Sequence, residues 1–578
     1  MNRSLSYLLF GLLIVRISPD MQAQDLSREN EIVRSDLFRE KFHLFTDRNI
    51  YAVNEKIFFR AFNLSESRLK QTNWSKILYV ELISESNTAI ARGKYELNTK
   101  GAWGYLNIPP SAATGHYSIR AYTKWMRNYP PVGYSHKTVA IINANGSGMN
   151  NLRMSTGEEF SSDLKNMENS RNLVQCSTDK SIYNKRGKIH LAISVPEKNN
   201  TSPDGYYVTV VQKGYYDTTI PELIFPSFND TDLPEKIHYY PETRGLSLSG
   251  RVTSNDGDKP FAYSQVHLTL LGNVPDYYGF LTDKTGGFRI SLPYHKSAED
   301  ILFCVENKAD RMVNFSLDSD YSTDFLKQPE QFSDKQAINK KTVEEIMFNA
   351  QVVNIFNPTP ISNDPVEILD TSNQYFYGSP ELRFKTADYI MLSTLEEFFF
   401  ELIQNVIVIK EKDKHYLYLT RDPSDFYLYI PLLLLDYVPV FDIDKILHLS
   451  PEKIACIDIV NSLYIRGNLR YGGIINIISS RGDRAGVDLP RNSFFFSFKT
   501  CESQQRITFP DYDKDPGDAR IPDYRNCLFW APNIPVGAGD TVSLDFFSSD
   551  LQGDYMVIVR GITDDGQVMH GECSFTVK

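Results

Sequence analysis

A short run of alternating carboxylates is the part of this chain that most resembles a ligand site. The run contains Asp511, Asp513, Asp515 and Asp518. Carboxylates at this spacing can present oxygen ligands to Ca²⁺ from one side, but an EF-hand loop needs glycine at its sixth position and glutamate at its twelfth. Pro516 and Pro522 occupy those positions. The pattern favours a solvated turn, with a calcium site as the alternative.

Other residue types that perform catalysis do not form a known constellation. The ten histidines are scattered, so no clustered metal site is predicted. The segment 245–249 lacks the final glycine of a nucleophile elbow. The pairs Glu344-Glu345 and Glu396-Glu397 fit helix-face charges better than an acid–base pair. We therefore predict that the protein is not an enzyme and has no cofactor, metal or small-molecule substrate.

Length and composition limit the number of domains and the remaining classes of function. A chain of 578 residues can hold about four or five domains. The net charge is −11 and no basic stripe is present, which argues against a nucleic-acid partner. Aromatic residues make up 13% of the chain, a content that suits β-sheets and their cores.

The amino terminus has the pattern of an export signal. Asn2-Arg3 supplies a positive start, residues 7–15 an apolar core, and Ala23 a small residue before cleavage at Gln24. We predict a signal peptide at 1–23 and an extension at 24–40. Export permits disulfides, so the six cysteines are either buried thiols or include one bridge. The candidates for that bridge are Cys501, Cys527 and Cys573.

A repeated motif indicates tandem domains. Its two copies contain Thr46, Asp47 and Tyr51, and Thr178, Asp179 and Tyr183. Each copy predicts a turn between short strands, and their separation suits a whole small domain. The motif resembles the opening Thr-Asp-Lys-x-x-Tyr of macroglobulin-type β-sandwiches. The resemblance implies such sandwiches at 41–145 and 171–245, joined by a linker at 146–170.

The carboxyl-terminal segment resembles another macroglobulin domain, predicted at 491–578. The matching residues are Arg525, Trp530, Pro532, Gly537, Asp550, Tyr555 and Gly561. Macroglobulins are known as protease traps, and a thioester trap needs Cys-Gly-Glu-Gln. The nearest stretch, Cys501-Glu502-Ser503-Gln504, lacks the glycine. The resemblance therefore implies the fold more than the inhibitory function.

The middle of the chain has a different strand pattern. Asp256-Gly257 is a hairpin signal between apolar strands, and Thr282-Asp283 and Gly287-Phe288 follow at regular spacing. The pattern resembles the carboxypeptidase regulatory-like domain, a non-catalytic spacer, and predicts one at 246–320. A connecting region at 321–385 follows.

Residues 386–490 combine helix and strand patterns. A predicted capping box at 393–396 opens a helix, and apolar strands follow. The segment resembles the plug domain of TonB-dependent outer-membrane receptors, whose landmarks match Pro431, Asp436, Pro439, Gly472 and Gly473. Tyr437 replaces the usual glycine. Fewer than a hundred residues follow Gly482, too few for a barrel, so we do not expect transport by this chain alone.

Together these patterns predict a mainly β protein of tandem macroglobulin-like or Ig-like sandwiches with a small α+β plug-like domain. The domain order resembles exported Bacteroidota proteins of the periplasm or outer membrane. We expect a scaffold that binds a protein partner, with a TonB-dependent barrel as one candidate. The alternatives are an accessory of TonB-dependent uptake and a protease-binding protein without thioester. The sequence also leaves open whether the chain forms a homo-oligomer.

Overall fold

The fold is that of a computed structural model, which describes most of the chain after residue 38. The described ranges are 39–65, 74–144, 153–155, 174–197, 202, 204–216, 237–257, 259–272, 275–292, 300–306, 311–326, 337–356, 375–412, 414–421, 430–502, 507–515, 520–563 and 566–578. The predicted signal peptide, with Ala23 and Gln24, and most of the 146–170 linker lie outside them.

The described residues are mainly β, as the sequence predicts. The strands, in chain order, are β1 (Phe42–Thr46), β2 (Ile50–Ala52), β3 (Lys56–Asn63), β4 (Ile77–Ser84), β5 (Ala89–Glu96), β6 (Ala102–Asn107), β7 (Gly115–Tyr122), β8 (Ser135–Ile142), β9 (Arg153–Ser155), β10 (Gln175–Thr178), β11 (Ile182–Tyr183), β12 (Lys188–Ser194), β13 (Tyr206–Gln212), β14 (Leu246–Ser254), β15 (Gln265–Leu271), β16 (Asp276–Leu281), β17 (Gly287–Leu292), β18 (Asp300–Val305), β19 (Val313–Leu317), β20 (Ala337–Asn339), β21 (Leu382–Lys385), β22 (Val406–Glu411), β23 (Lys414–Leu419), β24 (Leu432–Leu435), β25 (Val438–Pro439), β26 (Ile454–Val460), β27 (Tyr464–Arg466), β28 (Leu469–Tyr471), β29 (Ile474–Ser479), β30 (Ser493–Ser497), β31 (Cys527–Ile534), β32 (Thr541–Phe547), β33 (Gly553–Ile562) and β34 (Val568–Val577). The α-helices are α1 (Lys340–Phe356), α2 (Leu395–Leu402) and α3 (Ile443–Leu447).

The first sandwich contains strands β1 to β8. One sheet has the order β1-β3-β6 and the other β2-β8-β7-β4-β5. Strand β3 shows why the layers form: Ile57 and Phe59 enter the core between the sheets, while Phe58 and Phe62 face the other way. This alternation is what a strand imposes on its side chains. The first sandwich therefore has an apolar outer face as well as a core.

The second sandwich is built from two distant parts of the chain. Its sheets have the orders β10-β12-β32 and β11-β34-β33-β13-β31. Strand β12 pairs with β32 over its whole length, and β13 lies between β31 and β33. The prediction of separate domains at 171–245 and 491–578 is wrong in this respect, because the first segment supplies only some of the strands that its sheets require.

The third sandwich also receives a strand from a distant segment. Its sheets are β17-β14-β19 and β16-β15-β18-β30. Strand β30 pairs antiparallel with β18, and Phe494 and Phe496 pack against the core. The regulatory-like domain predicted at 246–320 is thus completed by residues 493–497, which the sequence analysis assigned to the carboxyl-terminal domain.

An α/β module lies between β19 and β30 in the chain. Its sheet has the order β21-β26-β29-β24-β25. Helices α2 and α3 and the β22–β23 hairpin contribute to an apolar core on one face of this sheet. The cap of α2 differs by one residue from the prediction: the Glu397 amide donates to the Thr394 hydroxyl, and the Ser393 amide donates to the Glu397 carboxylate.

The chain therefore enters the second sandwich, leaves it for the third, leaves that for the α/β module, and returns in reverse order. Helix α1 lies in the predicted connecting region, and Val343 and Ile346 pack with Ile50 and Ile142 beside the first sandwich. The modules are nested in the sequence rather than arranged one after another.

Candidate functional site

The carboxylate run belongs to an exposed turn stabilised by lysines. Asp511 pairs with Lys514 at 2.8 Å, and Asp513 pairs with Lys188 at 2.9 Å. The hydrogen bond from Lys514 lowers the pKa of Asp511. Residues 516–519 are outside the described ranges. In the part of the chain that the structure describes, no group of three or more His, Cys, Asp or Glu side chains could hold a metal ion.

The adjacent glutamates belong to helices. Glu344 and Glu345 lie near Lys340 and Lys341, at 3.6 and 3.8 Å, one turn earlier in α1. Glu397 caps α2 through the Ser393 amide. These contacts confirm the interpretation of Glu344 and Glu345 as helix-face charges.

The repeated motif forms the same hydrogen-bonded corner twice. In the first copy the Tyr51 hydroxyl donates to Asp47 at 2.7 Å, and Asp47 accepts from the Phe58 amide at 3.0 Å. In the second copy the Tyr183 hydroxyl donates to Asp179 at 2.6 Å, and Asp179 accepts from the His190 amide, also at 3.0 Å. The aspartate thus ties each corner to the strand eleven residues later. The repeat encodes a structural turn.

The threonines of the motif behave differently in the two copies. The Thr178 hydroxyl donates to the Lys180 carbonyl at 2.7 Å. The buried Thr46 hydroxyl has no hydrogen-bond partner among the described residues. The Asp–Tyr pair is therefore the part of the motif that the two corners share.

The environments of the two corners differ. Asp179 is exposed, and hydrogen bonds from Tyr183 and the His190 amide lower its pKa despite slight burial. Asp47 is fully buried, and burial raises its pKa to about 6 against the opposing charge of Arg48. A buried carboxylate requires compensating partners. The first corner has them because it lies at a junction between modules.

A polar cluster connects the first corner to the second sandwich and α1. Arg48 pairs with Asp47 at 2.7 Å and with Glu55 at 2.8 Å. Asn526 lies just before β31: its side-chain Nδ2 donates to Glu55 at 2.7 Å, and its Oδ1 accepts from the Asn349 side chain of α1 at 2.9 Å. We call Asp47, Arg48, Glu55, Asn349 and Asn526 the corner joint. It fixes three parts of the molecule to one another.

Aromatic packing surrounds the corner joint. Phe58 stacks on Trp530 with ring centroids 6.1 Å apart, and Phe45 contacts Tyr207 at 5.3 Å. Phe58 and Phe45 belong to the outer face of the first sandwich, while Trp530 and Tyr207 belong to the second. The outer sheet faces of the two sandwiches therefore pack on each other, as in sheet-on-sheet packing.

A second polar cluster lies where the chain enters and leaves the third sandwich. The Lys94 ammonium contacts Asp320 at 2.5 Å, and the Lys124 ammonium lies 3.8 Å from both Asp320 and Glu242. The Tyr79 hydroxyl donates to Glu242 at 3.1 Å. We call these five residues the strap joint, because Glu242 precedes β14 and Asp320 follows β19. It holds both connections against the first sandwich.

Two further groups extend the strap joint. Arg120 pairs with Glu81 at 2.6 Å and donates to the Ser322 carbonyl at 2.7 Å. Glu40 accepts hydrogen bonds from Ser75 and Thr123. Burial raises the pKa of Glu40 to about 7, and hydrogen bonds oppose the shift only in part. A carboxyl with this pKa changes its charge near neutral pH.

The plug-like landmarks form a tight turn in the α/β module. Asp436 and Tyr437 connect β24 to β25 with φ values of 49° and 65°. Two successive positive φ values define a type I′ hairpin, which normally favours glycine at the second position. The Asp436 carboxylate accepts from the Ser479 amide at 2.7 Å and the Arg484 amide at 2.8 Å. The turn therefore forms although Tyr437 replaces glycine.

The remaining landmarks lie along the neighbouring strands. The Leu432 amide donates to the Gly473 carbonyl at 2.9 Å, and the Gly472 amide donates to the Ile430 carbonyl at 2.8 Å. A Cβ atom on Gly473 would lie 2.4 Å from the Val460 carbonyl oxygen. Pro439 pairs with Leu434 in the β24–β25 hairpin. Pro431 directly precedes β24. Gly473 is required because two backbones approach closely there.

The face of the module that carries these landmarks contacts the third sandwich. The Thr269 hydroxyl donates to the Tyr437 carbonyl at 3.2 Å, and the Tyr277 and Tyr471 hydroxyls are 2.6 Å apart. Arg466 pairs with Asp276 at 2.6 Å. We call these six residues the module joint. The turn that resembles a receptor plug is thus used for contact within the chain.

The opposite face of the module carries the helices. Helix α2 buries Phe398 and Phe399 in the core on that side of the sheet, so Phe400 points outward and is 80% exposed. Ile390 and Met391, which precede the helix, are 74% and 54% exposed. We call Ile390, Met391 and Phe400 the exposed helix layer. Exposed apolar residues of this size can serve protein recognition.

Sequence reasoning missed the three joints. Each joint connects segments that are far apart in the chain, such as Glu55 with Asn526 or Asp276 with Arg466, and no local pattern links them. The available signal was an isolated charge within an apolar strand, such as Glu81 in β4 or Asp458 in β26. Asp458 is buried and pairs with Arg383 at 2.6 Å.

Comparison with known proteins gives weak structural likenesses. No model of a protein family matches the chain, and no curated protein matches it in sequence. Solved structures that match include Salmonella alpha-2-macroglobulin reacted with methylamine, at 8% identity and a TM-score of 0.23, covering 93% of this chain and 39% of that protein. Trypsin-activated alpha-2-macroglobulin from Escherichia coli matches at 8% identity and a TM-score of 0.22, covering 94% and 42%.

This chain thus spans about two fifths of the length of these macroglobulins. At such TM-scores the likeness carries no argument about function. Among the described residues, no helix has the length and apolarity needed to cross a bilayer.

The two corners predict unequal effects of the same substitution. Tyr51→Phe removes a buried hydrogen bond to a carboxylate, and we expect a loss of about 2 kcal/mol in the free energy of unfolding. Tyr183→Phe is the matched control, with an expected loss below about 1 kcal/mol because Asp179 remains hydrated. Urea denaturation measures both. Equal losses would contradict the assignment of the first corner to a buried junction.

The corner joint predicts a large effect at Glu55. Glu55→Ala leaves Arg48 and Asn526 without a shared partner, and we expect it to lower the free energy of unfolding by about 3 kcal/mol. Asp513→Ala is the control, because its exposed pair with Lys188 should contribute less than about 1 kcal/mol. Thermal and urea denaturation compare the two variants. A loss at Glu55 no greater than that at Asp513 would argue against the joint.

Glu40 predicts a pH dependence of stability. Its pKa is raised in the folded state from 4.5 to about 7, so the folded state holds the proton more tightly than the unfolded state. The stabilisation that Glu40 contributes is therefore fully present below about pH 4.5 and is lost as the pH rises to about 7. We expect Glu40→Gln to remove this loss, which amounts to ~3 kcal/mol at most.

Urea denaturation at about pH 5 and about pH 8 measures the Glu40 effect. Glu411→Gln, which alters an exposed carboxylate at the end of β22, is the control. The assignment fails if wild type and Glu40→Gln show parallel pH profiles.

Proposed function

We propose that this chain is an exported, non-enzymatic scaffold that presents the exposed helix layer of its α/β module to a protein partner at the periplasmic side of the outer membrane. The observation that carries the proposal is the asymmetry of the module. One face is joined to the third sandwich by buried polar contacts, and the opposite face exposes large apolar side chains.

The module joint supports a fixed orientation of the module. Arg466 pairs with the largely buried Asp276, and the Tyr277 side chain is fully buried between the module and the sandwich. Separation would expose this apolar surface and leave polar groups that need new partners. Strand β30 then returns the chain to the third sandwich directly after the module. A module that is attached both by the module joint and through strand β30 can hold one docking face in a constant position.

The use of the buried charges supports a non-catalytic role. The carboxylates of the joints have cationic or hydroxyl partners: Asp47 contacts Arg48 and Tyr51, Glu242 contacts Tyr79, Asp276 contacts Arg466, and Glu81 contacts Arg120. Such pairs contribute to specificity of assembly more than to net stability. These clusters are therefore assigned to structure.

The exposed helix layer suits a partner with an apolar surface. Phe400 is among the most exposed large apolar side chains described, and aromatic residues are enriched in the centres of protein interfaces. Glu396 and Glu397 lie about one turn before Phe400 in the helix, and Glu401 directly follows it. The partner would bury the aromatic ring and leave the acidic rim in water.

A role as an accessory of TonB-dependent uptake is the second candidate, and the plug-like turn favours it. The Asp436–Tyr437 turn and Gly473 support the local resemblance, but Tyr437 contacts Thr269 of the third sandwich. A barrel component would therefore have to meet the helix layer. This requirement distinguishes the accessory from a plug that sits inside a barrel.

Site-specific crosslinking in the native host tests the proposal. Phe400→p-benzoyl-phenylalanine should give a stoichiometric crosslink to one envelope protein. The matched control is Ile355→p-benzoyl-phenylalanine, which is similarly exposed on α1 and should not give that product. An outer-membrane barrel at position 400 would support the accessory role, and any other single envelope protein would support the general scaffold.

A crosslinked protease would instead favour the protease-binding alternative. The proposal is overturned if position 400 gives no product, or gives the same products as position 355. Circular dichroism of both variants verifies that each is folded, as expected for substitutions at exposed positions.

A further inference from the structure

Two cysteines that belong to the first and the last strand of the second sandwich lie close together in space. Cys176 lies on β10, near the start of the sandwich, and Cys573 lies on β34, at its end. Strands β10 and β34 pack against each other and bring the two thiols close together. Both side chains pack at the edge of the core between the two sheets. They come from segments on either side of the nested third sandwich and α/β module.

The backbone brings these cysteines together. The Val174 amide donates to the His570 carbonyl at 3.4 Å, two residues before Cys176 and three before Cys573. A Cβ atom on Gly571 would lie 2.5 Å from the Val174 carbonyl oxygen. Glycine therefore permits close approach of the two segments at this point. The proximity of the thiols follows from this approach and does not depend on side-chain rotation alone.

The other cysteines are arranged differently. Cys304, Cys501 and Cys527 are buried in three separate apolar clusters. A bridge among Cys501, Cys527 and Cys573, which the sequence left open, would need residues from different clusters to meet. Cys176 and Cys573 are only partly buried, so an exchange partner can reach them.

We propose that Cys176 and Cys573 form a disulfide that links the two separate parts of the second sandwich. The donor is a disulfide, either a small molecule or an oxidised dithiol protein. One cysteine thiolate attacks the donor, forming a mixed disulfide and releasing one donor thiolate. The second cysteine thiolate then attacks the mixed disulfide at the first cysteine sulfur and releases the other. Two protons leave the cysteines, and two electrons reduce the donor.

Either cysteine of the pair can react first. The thiolate is the attacking species in thiol–disulfide exchange, and both cysteines are partly buried, so whichever attacks the donor leaves the other to resolve the mixed disulfide. The bond would prevent β10 and β34 from separating while the nested modules remain attached.

Oxidation of the full-length protein with glutathione disulfide tests the proposal. After unfolding and alkylation, the intact protein should have lost two of its six titratable thiols, without added glutathione mass. Non-reducing peptide mass spectrometry should identify one linked pair, containing Cys176 and Cys573. Cys456→Ser, which removes another partly buried cysteine, should leave this link unchanged.

Cys573→Ser should abolish the linked pair. Cys176→Ser should abolish it as well, because neither cysteine has its partner in these variants. The proposal is overturned if the wild-type protein keeps six alkylatable thiols, or if another pair is linked. The wild-type result does not depend on the folding of any variant.

Discussion

The antiparallel pairing of β12 with β32 constrains everything between them in the chain. These strands align residue by residue from Lys188 with Phe547 to Ser194 with Thr541. Since β13 also pairs with β31 and β33, the second sandwich cannot be completed until the carboxyl-terminal segment arrives. The third sandwich and α/β module must therefore leave and return at nearby points. Pairing between such distant segments is entropically costly, and the apolar core of the sandwich must offset that cost.

The polar joints explain how nested modules keep defined positions. Apolar faces alone can slide on one another, whereas paired charges with directional hydrogen bonds favour one register. Arg48 and Glu55 perform this role beside the Phe58–Trp530 stack, and Arg466 and Asp276 perform it beside Tyr277. Each joint combines aromatic burial with a charge pair. The same combination allows one face of the α/β module to be covered and the helix layer to remain exposed.

Local features were predictable from the sequence, and long-range ones were not. The Asp-Tyr repeat predicts a turn because its hydrogen bonds lie within one corner. The addition of β30 to the third sandwich has no such local signal: Phe494 and Phe496 alternate in the way that suits any half-buried strand. The burial of Asp47 was equally hidden, since Asp179 belongs to the same Thr-Asp-x-x-Ile-Tyr motif and is exposed.

Amide hydrogen exchange in increasing urea tests the nested second sandwich most directly. Peptides from 188–212 and from 527–563 belong to one cooperative unit, so their amides should become exchangeable together at one urea concentration. Residues 266–305 of the third sandwich supply a separate reference transition. If 527–563 becomes exchangeable at a clearly different concentration from 188–212, the two segments are independent domains and the account is contradicted.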